Sequence, residues 1–461
     1  MKIMQIKKIL ALVMILSFFG IHSANAVQLL RDEEIERILK AISAPIFKQA
    51  NISADSVNFI LVEDSQLNAF VAGGKNIFIN TGLILETDNI EELVGVIAHE
   101  TGHIASGHLV RLTEATEGLS AKAILSSILG MAVAVGTGSA EAGVLVSTFG
   151  SDAAMKDILK HTRTQEGTAD QSAIKFLKGA GLPISGLVSF MKKLESQELL
   201  PESQQSEYLR THPLTQDRVE SLQYASDNNP KGVVPEKWVE YHQRMKAKTL
   251  GYISPDEALT IKGDGFADKY GKAIAYFRKG DFEKSVPLTD ELLKVEPKNP
   301  YLHELKGQIM FDRGNIEGSI ASYKVAASIL PSSSLIGVGY CQSLLEAVND
   351  KKARELEAIK TLNLIVRMES NRSSEPYHLL GIAYGRQGNE GMSSLSLAEE
   401  ALMENNMEFA RMSALRAKAK LPAGTPASLR ADDILASINM GNKDKDGAKG
   451  KGKDKKGGEG Q

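Results

Sequence analysis

Cysteine, aromatic residues and net charge are all scarce in this chain. Its 461 residues include one cysteine, Cys341, so no disulfide can form within the chain. Aromatic residues make up 6% and there is one tryptophan, which disfavours an aromatic-rich β-sandwich and favours helices packed through small side chains. The formal net charge of -3 excludes a nucleic-acid-binding protein that works by bulk positive charge. At about 100–200 residues per domain, the length predicts two or three domains.

An apolar run near the N-terminus indicates the compartment. Residues 9–21 are apolar, three lysines precede them, and a small-residue pattern ends at Ala26. These are the three parts of a secretory signal peptide, and the run is shorter than the roughly 20 residues that a membrane span needs. We expect residues 1–26 to be a cleaved signal peptide and the protein to be periplasmic. An uncleaved anchor is the alternative.

Short strands and helices alternate between residues 27 and 255. Residues 58–62 predict a strand, and residues 68–71 and 76–81 predict a hairpin that turns at two glycines. A helix is predicted from Glu91 to about Leu112. Residues 121–150 are rich in small side chains and carry two charges. They predict a buried helical hairpin, with a mobile lid or a membrane-surface element as the alternative.

The pattern becomes purely helical and repetitive over residues 256–440. Several residue types recur at a spacing of 34, which is the period of tetratricopeptide helix pairs. The recurring pairs are Phe277 and Phe311, Gly280 and Gly314, Ser285 and Ser319, and Pro297 and Pro331. The register then slips, so we expect a degenerate, longer unit over residues 334–369 before the pattern resumes near Glu375. Residues 441–461 contain no apolar face and predict a disordered tail, which is either solubilising or weakly attracted to anionic surfaces.

The strongest chemical signal is the segment from His99 to His103, with Glu100 between the two histidines. Residues four apart share one face of a helix, so the two imidazoles can bind one metal ion. Glu100 is placed to take a proton from a metal-bound water. Apolar residues on both sides of the segment favour this interpretation over two histidines on a solvated helix.

A catalytic zinc site needs a third protein ligand. His108 lies five residues past His103, about 140° round a continuing helix, and is therefore a poor candidate. Glu166 is the better one, since Asp170 follows it on the same helical face and can accept a hydrogen bond from a ligand imidazole. Taken alone, this acidic pair is also typical of a solvated helix face.

A third motif contains His212 before a proline, and Arg218 six residues later. The proline restricts the backbone of His212. Arg218 carries a permanent charge and five donors, which suit it either to stabilise a developing oxyanion or to lock an acidic neighbour. Taken alone, the motif is a loop followed by a helix start.

In this order the three motifs resemble the M48 family of zinc metallopeptidases, over about residues 30–225. The family pattern is His-Glu-x-x-His, then Glu-x-x-x-Asp, then His-Pro with a following Arg. The resemblance implies an α+β zincin-like domain of the gluzincin type in residues 27–255, mostly helical with a small sheet. An all-α tetratricopeptide array would follow in residues 256–440.

The resemblance also implies roles for individual residues. One Zn²⁺ per chain would be bound by three ligands, namely His99, His103 and Glu166. Glu100 would be the general base and Asp170 would orient a ligand. His212 would assist the transition state or act as a reversible fourth ligand, and Arg218 is a further catalytic candidate. The strand Asn68, Ala69 and Phe70 would pair with an extended substrate.

The implied function is that of a periplasmic zinc endopeptidase in protein quality control. Its substrates would be misfolded or stalled outer-membrane proteins, and the repeats would bind these clients or the outer-membrane assembly machinery. No nucleic-acid partner is expected, and peripheral membrane contact is left open. The alternative is a chaperone or scaffold for outer-membrane protein assembly with a mostly latent protease site.

Overall fold

The computed structural model describes residues 28–108, 163–198, 200–201, 205–229, 231–368 and 373–451. The predicted signal peptide, the segment 121–150 and residues 452–461 lie outside these ranges. Within the described part of the chain, no helix is both long and apolar enough to cross a membrane.

One small sheet stands at the start of the described chain. Its strands are β1 (Gln28–Leu30), β2 (Asn58–Glu63), β3 (Ala69–Ala72) and β4 (Asn76–Asn80), in the order β1-β2-β4-β3. The predicted hairpin is confirmed: β3 and β4 are antiparallel, with Phe70 opposite Phe78 and their rings stacked at 4.8 Å. Gly73 and Gly74 have positive φ angles of 57° and 89°, which glycine adopts without steric cost. β3 is therefore an edge strand.

Eight helices of the described residues follow or flank this sheet. They are α1 (Glu33–Gln49), α2 (Thr81–Glu86), α3 (Ile90–Ala105), α4 (Arg163–Ala180), α5 (Ser185–Glu198), α6 (Glu207–Thr211), α7 (Gln216–Asp227) and α8 (Glu236–Ile253). α1 packs on β2, where Phe47 and Phe59 are both buried and their rings are 6.2 Å apart. Trp238 and Met245 bring α8 into the same apolar core. This core supports the helices that carry the three motifs.

α3 is the central helix of this part of the chain. Asn89 caps its N-terminus by accepting a hydrogen bond from the Glu92 N–H at 3.0 Å. Two glycines allow close helix contacts: a Cβ at Gly95 would lie 2.6 Å from the Leu187 nitrogen of α5, and one at Gly102 would lie 2.7 Å from the Ala169 oxygen of α4. The backbones of α4 and α5 therefore approach α3 more closely than a side chain would allow.

α3 ends earlier than the sequence predicts. The last residue of α3 is Ala105, and Gly107 has a φ of 64°, so the predicted helix does not continue through residues 106–108, while residues 109–112 lie outside the described ranges. A glycine in the left-handed conformation just after a helix is a common stop signal. His108 consequently lies on a turn and not on a continuing helix.

The second part of the described chain is all-helical. Its helices are α9 (Pro255–Thr260), α10 (Phe266–Arg278), α11 (Phe282–Val295), α12 (Pro300–Asp312), α13 (Ile316–Ile329), α14 (Ser334–Glu346), α15 (Lys351–Met368), α16 (Glu375–Arg386), α17 (Glu390–Met403), α18 (Met407–Lys420) and α19 (Pro426–Lys451). From α10 onward, consecutive helices pack on one another. Gly280, Gly314 and Gly388 have positive φ at corresponding hairpin turns. The predicted fold class, a mostly helical α+β domain followed by an all-α array, is confirmed.

The repeat register is visible in one recurring hydrogen bond. In three helix pairs a serine in the second helix donates to a backbone oxygen twelve residues earlier in the first. The bonds are Ser285 Oγ to Ala273 O (2.7 Å), Ser319 Oγ to Gly307 O (2.8 Å) and Ser393 Oγ to Gly381 O (2.7 Å). The slip in sequence register falls between the second and third bonds, where the 18-residue α15 stands.

The last helix corrects one expectation. α19 continues to Lys451, eleven residues into the segment for which the sequence predicts disorder. Four of the residues 441–451 are lysines, which have good helix propensity, whereas three are glycines, which disfavour a helix.

A buried polar cluster joins the two parts of the chain. Lys248 of α8 is 4% exposed, and its Nζ lies 2.8 Å from Asp32 Oδ2 and 3.1 Å from Glu34 Oε2. The Tyr270 hydroxyl, from the first repeat helix, donates to the same Glu34 oxygen at 2.8 Å. The start of α1, the end of α8 and α10 therefore share one set of charged contacts.

Candidate metal centre

His99 and His103 face each other on α3, as their spacing predicts. Their side chains are 0% and 1% exposed, and their Nε2 atoms are 3.0 Å apart. Burial of two imidazoles at this separation is favourable only when a proton or a cation lies between them, because two nitrogen lone pairs repel.

Glu166 comes from α4, 63 residues beyond His103 in sequence. Its side chain is fully buried, with Oε2 3.3 Å from His99 Nε2 and Oε1 3.4 Å from His103 Nε2. One potential ligand atom from each of four residues lies within 4.8 Å of the others, and these residues are His99, His103, Glu166 and His212. The structure thus brings the three predicted ligands together and adds His212 to them.

Asp170 lies behind His99, one helical turn after Glu166. Its Oδ1 is 2.9 Å from His99 Nδ1. A carboxylate at Nδ1 accepts a hydrogen bond from that nitrogen and directs Nε2 at the group of ligand atoms. Burial by itself would lower the pKa of His99, but the hydrogen bonds to Asp170 and Glu166 outweigh burial and raise it to about 10.

Arg218 binds both acidic residues. Its Nε and Nη2 donate to Asp170 at 2.7 and 3.0 Å, and its Nη1 lies 2.8 Å from Glu166 Oε2. Nη1 also donates to the backbone oxygen of Pro213 at 2.8 Å. Of the two roles left open by the sequence, these contacts correspond to locking an acidic neighbour. The bond to Pro213, which the sequence did not indicate, ties the loop after His212 to the same guanidinium.

His212 caps the C-terminus of α6 and is 2% exposed. Its Nε2 is 3.5 Å from Glu100 Oε1, and its Nδ1 is 2.9 Å from the Thr211 hydroxyl. The imidazole ring stands 5.5 Å from that of His99 and stacks on Tyr208 at 4.3 Å with an interplanar angle of 17°. The short helix α6 therefore places His212 beside His99 and Glu100.

Glu100 is fully buried beside the ligand group, and within the described residues neither of its carboxylate oxygens has a hydrogen-bond partner. Burial raises the pKa of this carboxyl to about 8, against an opposing effect from His99 and with a further rise from Glu166. A buried carboxyl with a raised pKa holds a proton more tightly than an exposed one.

His108 contacts the metal centre in a way that helical geometry did not predict. Because α3 stops at Ala105, the chain turns back and brings His108 Nδ1 to 2.9 Å from His103 Nδ1. His108 lies outside the group of converging ligand atoms, in line with its assignment as a non-ligand. Gly107 was the sequence signal for this turn.

The predicted substrate strand lies at the free edge of the sheet. In the described residues β3 pairs with β4 alone and packs against α3. Ala69 and Phe70 belong to β3, and Asn68 directly precedes it. Asn68 is 2% exposed, and its Oδ1 has no hydrogen-bond partner among the described residues. The neighbouring Leu67 oxygen accepts a hydrogen bond from the Tyr208 N–H at 3.3 Å, which connects the strand to α6.

The chain was compared with known proteins. Residues 29–226 match the model of peptidase family M48. A putative beta-barrel assembly-enhancing protease of Vibrio cholerae is 25% identical over 88% of this chain and 84% of its own length. The beta-barrel assembly-enhancing protease of Escherichia coli strain K12 is 23% identical over 85% of this chain and 84% of its own.

Among solved structures, a thermophilic TPR protein of Thermus thermophilus is 14% identical and covers 37% of this chain and all of its own, with a TM-score of 0.26. That score is too low to define a fold, and the helix pairs and their repeated hydrogen bond establish the repeat array. The family match and the buried His/Glu group agree with the resemblance seen in the motifs. Residues 29–226 are therefore a domain of peptidase family M48, and the chain is a metalloprotease.

Proposed function

We propose that this chain is a zinc-dependent endopeptidase of the periplasm that hydrolyses misfolded or stalled outer-membrane proteins. The observation that carries the proposal is the buried group of His99, His103 and Glu166 with the buried carboxylate of Glu100 beside it. The names of the relatives, which are beta-barrel assembly-enhancing proteases, support the substrate class. The N-terminal signal pattern supports the compartment.

The donor set fits zinc. Two imidazole nitrogens and one carboxylate oxygen form the three-ligand set of catalytic zinc sites, which leave one position open. His99, His103 and Glu166 would hold the ion, which when bound lowers the pKa of a water to about 7 and polarises a carbonyl. Asp170 fixes the tautomer of His99, and Arg218 holds both carboxylates in place.

Glu100 would be the general base and then the general acid. As a carboxylate it would accept the proton of the attacking water, and as the resulting acid it would return that proton to the leaving amine. His212 reaches Glu100 at 3.5 Å and either donates to the developing oxyanion or occupies the open position until substrate arrives.

Backbone pairing would select the substrates. The edge of β3 that pairs with no other strand of the described residues, with Asn68 at its start, would offer hydrogen bonds to an extended peptide, whereas a folded protein has no free strand to pair with it. The repeat array would hold the client or the assembly machinery near this edge. Selection by chain conformation suits an enzyme of protein quality control.

A scaffold function is the second candidate, and one observation favours it. His99, Glu100, His103, Glu166 and His212 are all at most 2% exposed, so the site is closed to a peptide in this conformation. A closed site is compatible with a chaperone whose protease activity is mostly latent.

Replacement of Glu100 by Gln separates the two functions. The variant should keep its zinc and lose cleavage of an unfolded substrate by about 10²–10⁴-fold. Glu86→Gln, at an exposed position outside the site, is the matched control. A Glu100→Gln variant that keeps full biological activity favours the scaffold, and purified wild-type protein well short of one zinc per chain contradicts the metal assignment.

His212→Ala tests the two roles of that residue. Proteolysis should increase if His212 occupies the open position and decrease if it assists the reaction. Unchanged proteolysis contradicts both roles.

A further inference from the structure

Tyr208 is completely buried in the wall of the metal centre. It lies on α6, four residues before His212, and its backbone oxygen accepts the His212 N–H at 2.8 Å. Its ring stacks on His212 and meets Phe190 edge-on at 5.2 Å. The ring centroid is 6.5 Å from that of His99. The ring alone therefore accounts for the packing on both sides.

The hydroxyl of Tyr208 is not explained by this packing. It is buried and has no hydrogen-bond partner among the described residues. A phenylalanine ring would make the same stacking contacts and would avoid the loss of the hydroxyl's hydrogen bonds to water. Burial raises the pKa of Tyr208 well above its ordinary value, and the negative charge of Glu100 adds to the rise. A tyrosine hydroxyl has an ordinary pKa of about 10, so at neutral pH it keeps its proton and remains a hydrogen-bond donor.

A donor and a carboxylate of the same site thus both lack a hydrogen-bond partner among the described residues. The carboxylate is that of Glu100, and it is also fully buried. Buried polar groups are nearly always satisfied in folded proteins, and exceptions concentrate at functional sites. In this conformation Glu100 does not accept a hydrogen bond from the Tyr208 hydroxyl. The hydroxyl can therefore donate to a molecule that binds beside both groups.

We propose that Tyr208 is a further catalytic residue, whose hydroxyl donates a hydrogen bond to the scissile carbonyl oxygen of a bound peptide and to the oxyanion that develops from it. This inference rests on the proposed peptidase function. The hydroxyl keeps its proton throughout, so it adds a fixed donor and no extra proton-transfer step. A donor aimed at developing charge stabilises the transition state more than the ground state.

Tyr208→Phe tests this inference because it should lower catalytic activity without lowering thermal stability. Removal of an unsatisfied buried hydroxyl should raise the midpoint of thermal unfolding or leave it unchanged. The same variant should lower kcat about 10-fold or more, with KM within about two-fold of wild type. Zinc affinity, measured by competition with a chelating dye, should stay at the wild-type value.

Tyr270→Phe is the matched control. The Tyr270 hydroxyl is also buried, but it donates to Glu34 at 2.8 Å and lies in the repeat array. Its removal should lower the midpoint of thermal unfolding and leave kcat unchanged.

Three results would overturn the assignment of Tyr208. They are an unchanged kcat in Tyr208→Phe, a loss of stability as large as that of Tyr270→Phe, and a loss of zinc that accounts for the lower activity. An active wild type with an inactive Glu100→Gln variant and a fully active Tyr208→Phe variant refutes this inference alone. A zinc-loaded wild type that cleaves no unfolded substrate refutes the peptidase function and this inference together.

Discussion

Arg218 holds Asp170 through two hydrogen bonds, from Nε to Oδ2 at 2.7 Å and from Nη2 to Oδ1 at 3.0 Å. Both side chains are buried, and the hydrogen bonds from His99 and Arg218 overcome the effect of burial and keep the pKa of Asp170 below its ordinary value. The pair connects α7 to α4 and, through His99, to α3. The pair therefore holds these three helices together around the metal centre.

We expect Arg218→Met to destabilise the fold by about 3–5 kcal/mol, because it leaves two buried carboxylates without their cation. Zinc affinity should fall about 10–100-fold, since the partner that orients His99 is released. Urea denaturation and zinc competition measure the two effects. Arg210→Met, at an exposed position on α6, is the control. Equal stability of the two variants would contradict a supporting role for Arg218.

Gly102→Ala should separate the two helices that carry the ligands. Its Cβ would lie 2.7 Å from the Ala169 oxygen, next to Asp170. Overpacking of this kind costs about 1–3 kcal/mol, and displacement of α4 should also weaken zinc binding. Gly167→Ala is the matched control on α4, where no heavy atom lies within 4 Å of an added Cβ. That variant should be neutral or more stable by up to about 1 kcal/mol. Normal zinc affinity in Gly102→Ala would show that the contact is not needed.

His242 should make stability depend on pH. The side chain is buried on α8, and its Nε2 lies 3.0 Å from the Thr87 hydroxyl. Burial lowers the pKa of His242 to about 4, and the positive charges of Lys246 and Lys193 add to this effect. The negative charges of Glu92 and Asp88 oppose it. The unfolded chain takes up the proton first as pH falls below 6.5, so stability is lost between about pH 6.5 and pH 4.

For a shift of this size, the loss between pH 7 and pH 5 is about 2 kcal/mol. Urea denaturation at the two pH values measures it. His242→Gln removes this contribution, so the variant should lose less stability than the wild type over the same range. Parallel losses in both proteins would exclude His242 as the source.

Lys248→Met should loosen the contact between the peptidase domain and the repeats. The change leaves Asp32 and Glu34 without their cation, at a cost of about 3 kcal/mol. Lys48→Met, at the exposed end of α1, is the control and should change stability by less than about 0.5 kcal/mol. Limited proteolysis between α8 and α10 should become faster in Lys248→Met alone. Indistinguishable proteolysis of the two variants would show that other contacts join the domains.

Local spacing was enough to predict part of the molecule. His99 and His103 share a face because any α-helix places residues four apart on one side. The hairpin at Gly73 and Gly74 follows from turn chemistry, and the 34-residue period follows from one helix pair being one structural unit. In each case the interactions that determine the structure lie within one element or one pair of neighbouring elements. The spacing of residues in the sequence is therefore enough to predict them.

Contacts between distant segments were decided by the tertiary structure. The acids at 166 and 170 have the spacing of an ordinary solvated helix face, and only the close approach at Gly102 brings them onto His99. His108 contacts His103 because α3 ends early. Tyr208 lies at the metal centre because its ring stacks on His212 within α6. Such contacts depend on which helices pack together and how closely, and that follows from burial of the whole core and not from the spacing of any one motif. The sequence by itself thus determined the motif residues and the repeat, while the tertiary structure determined which residues these contact.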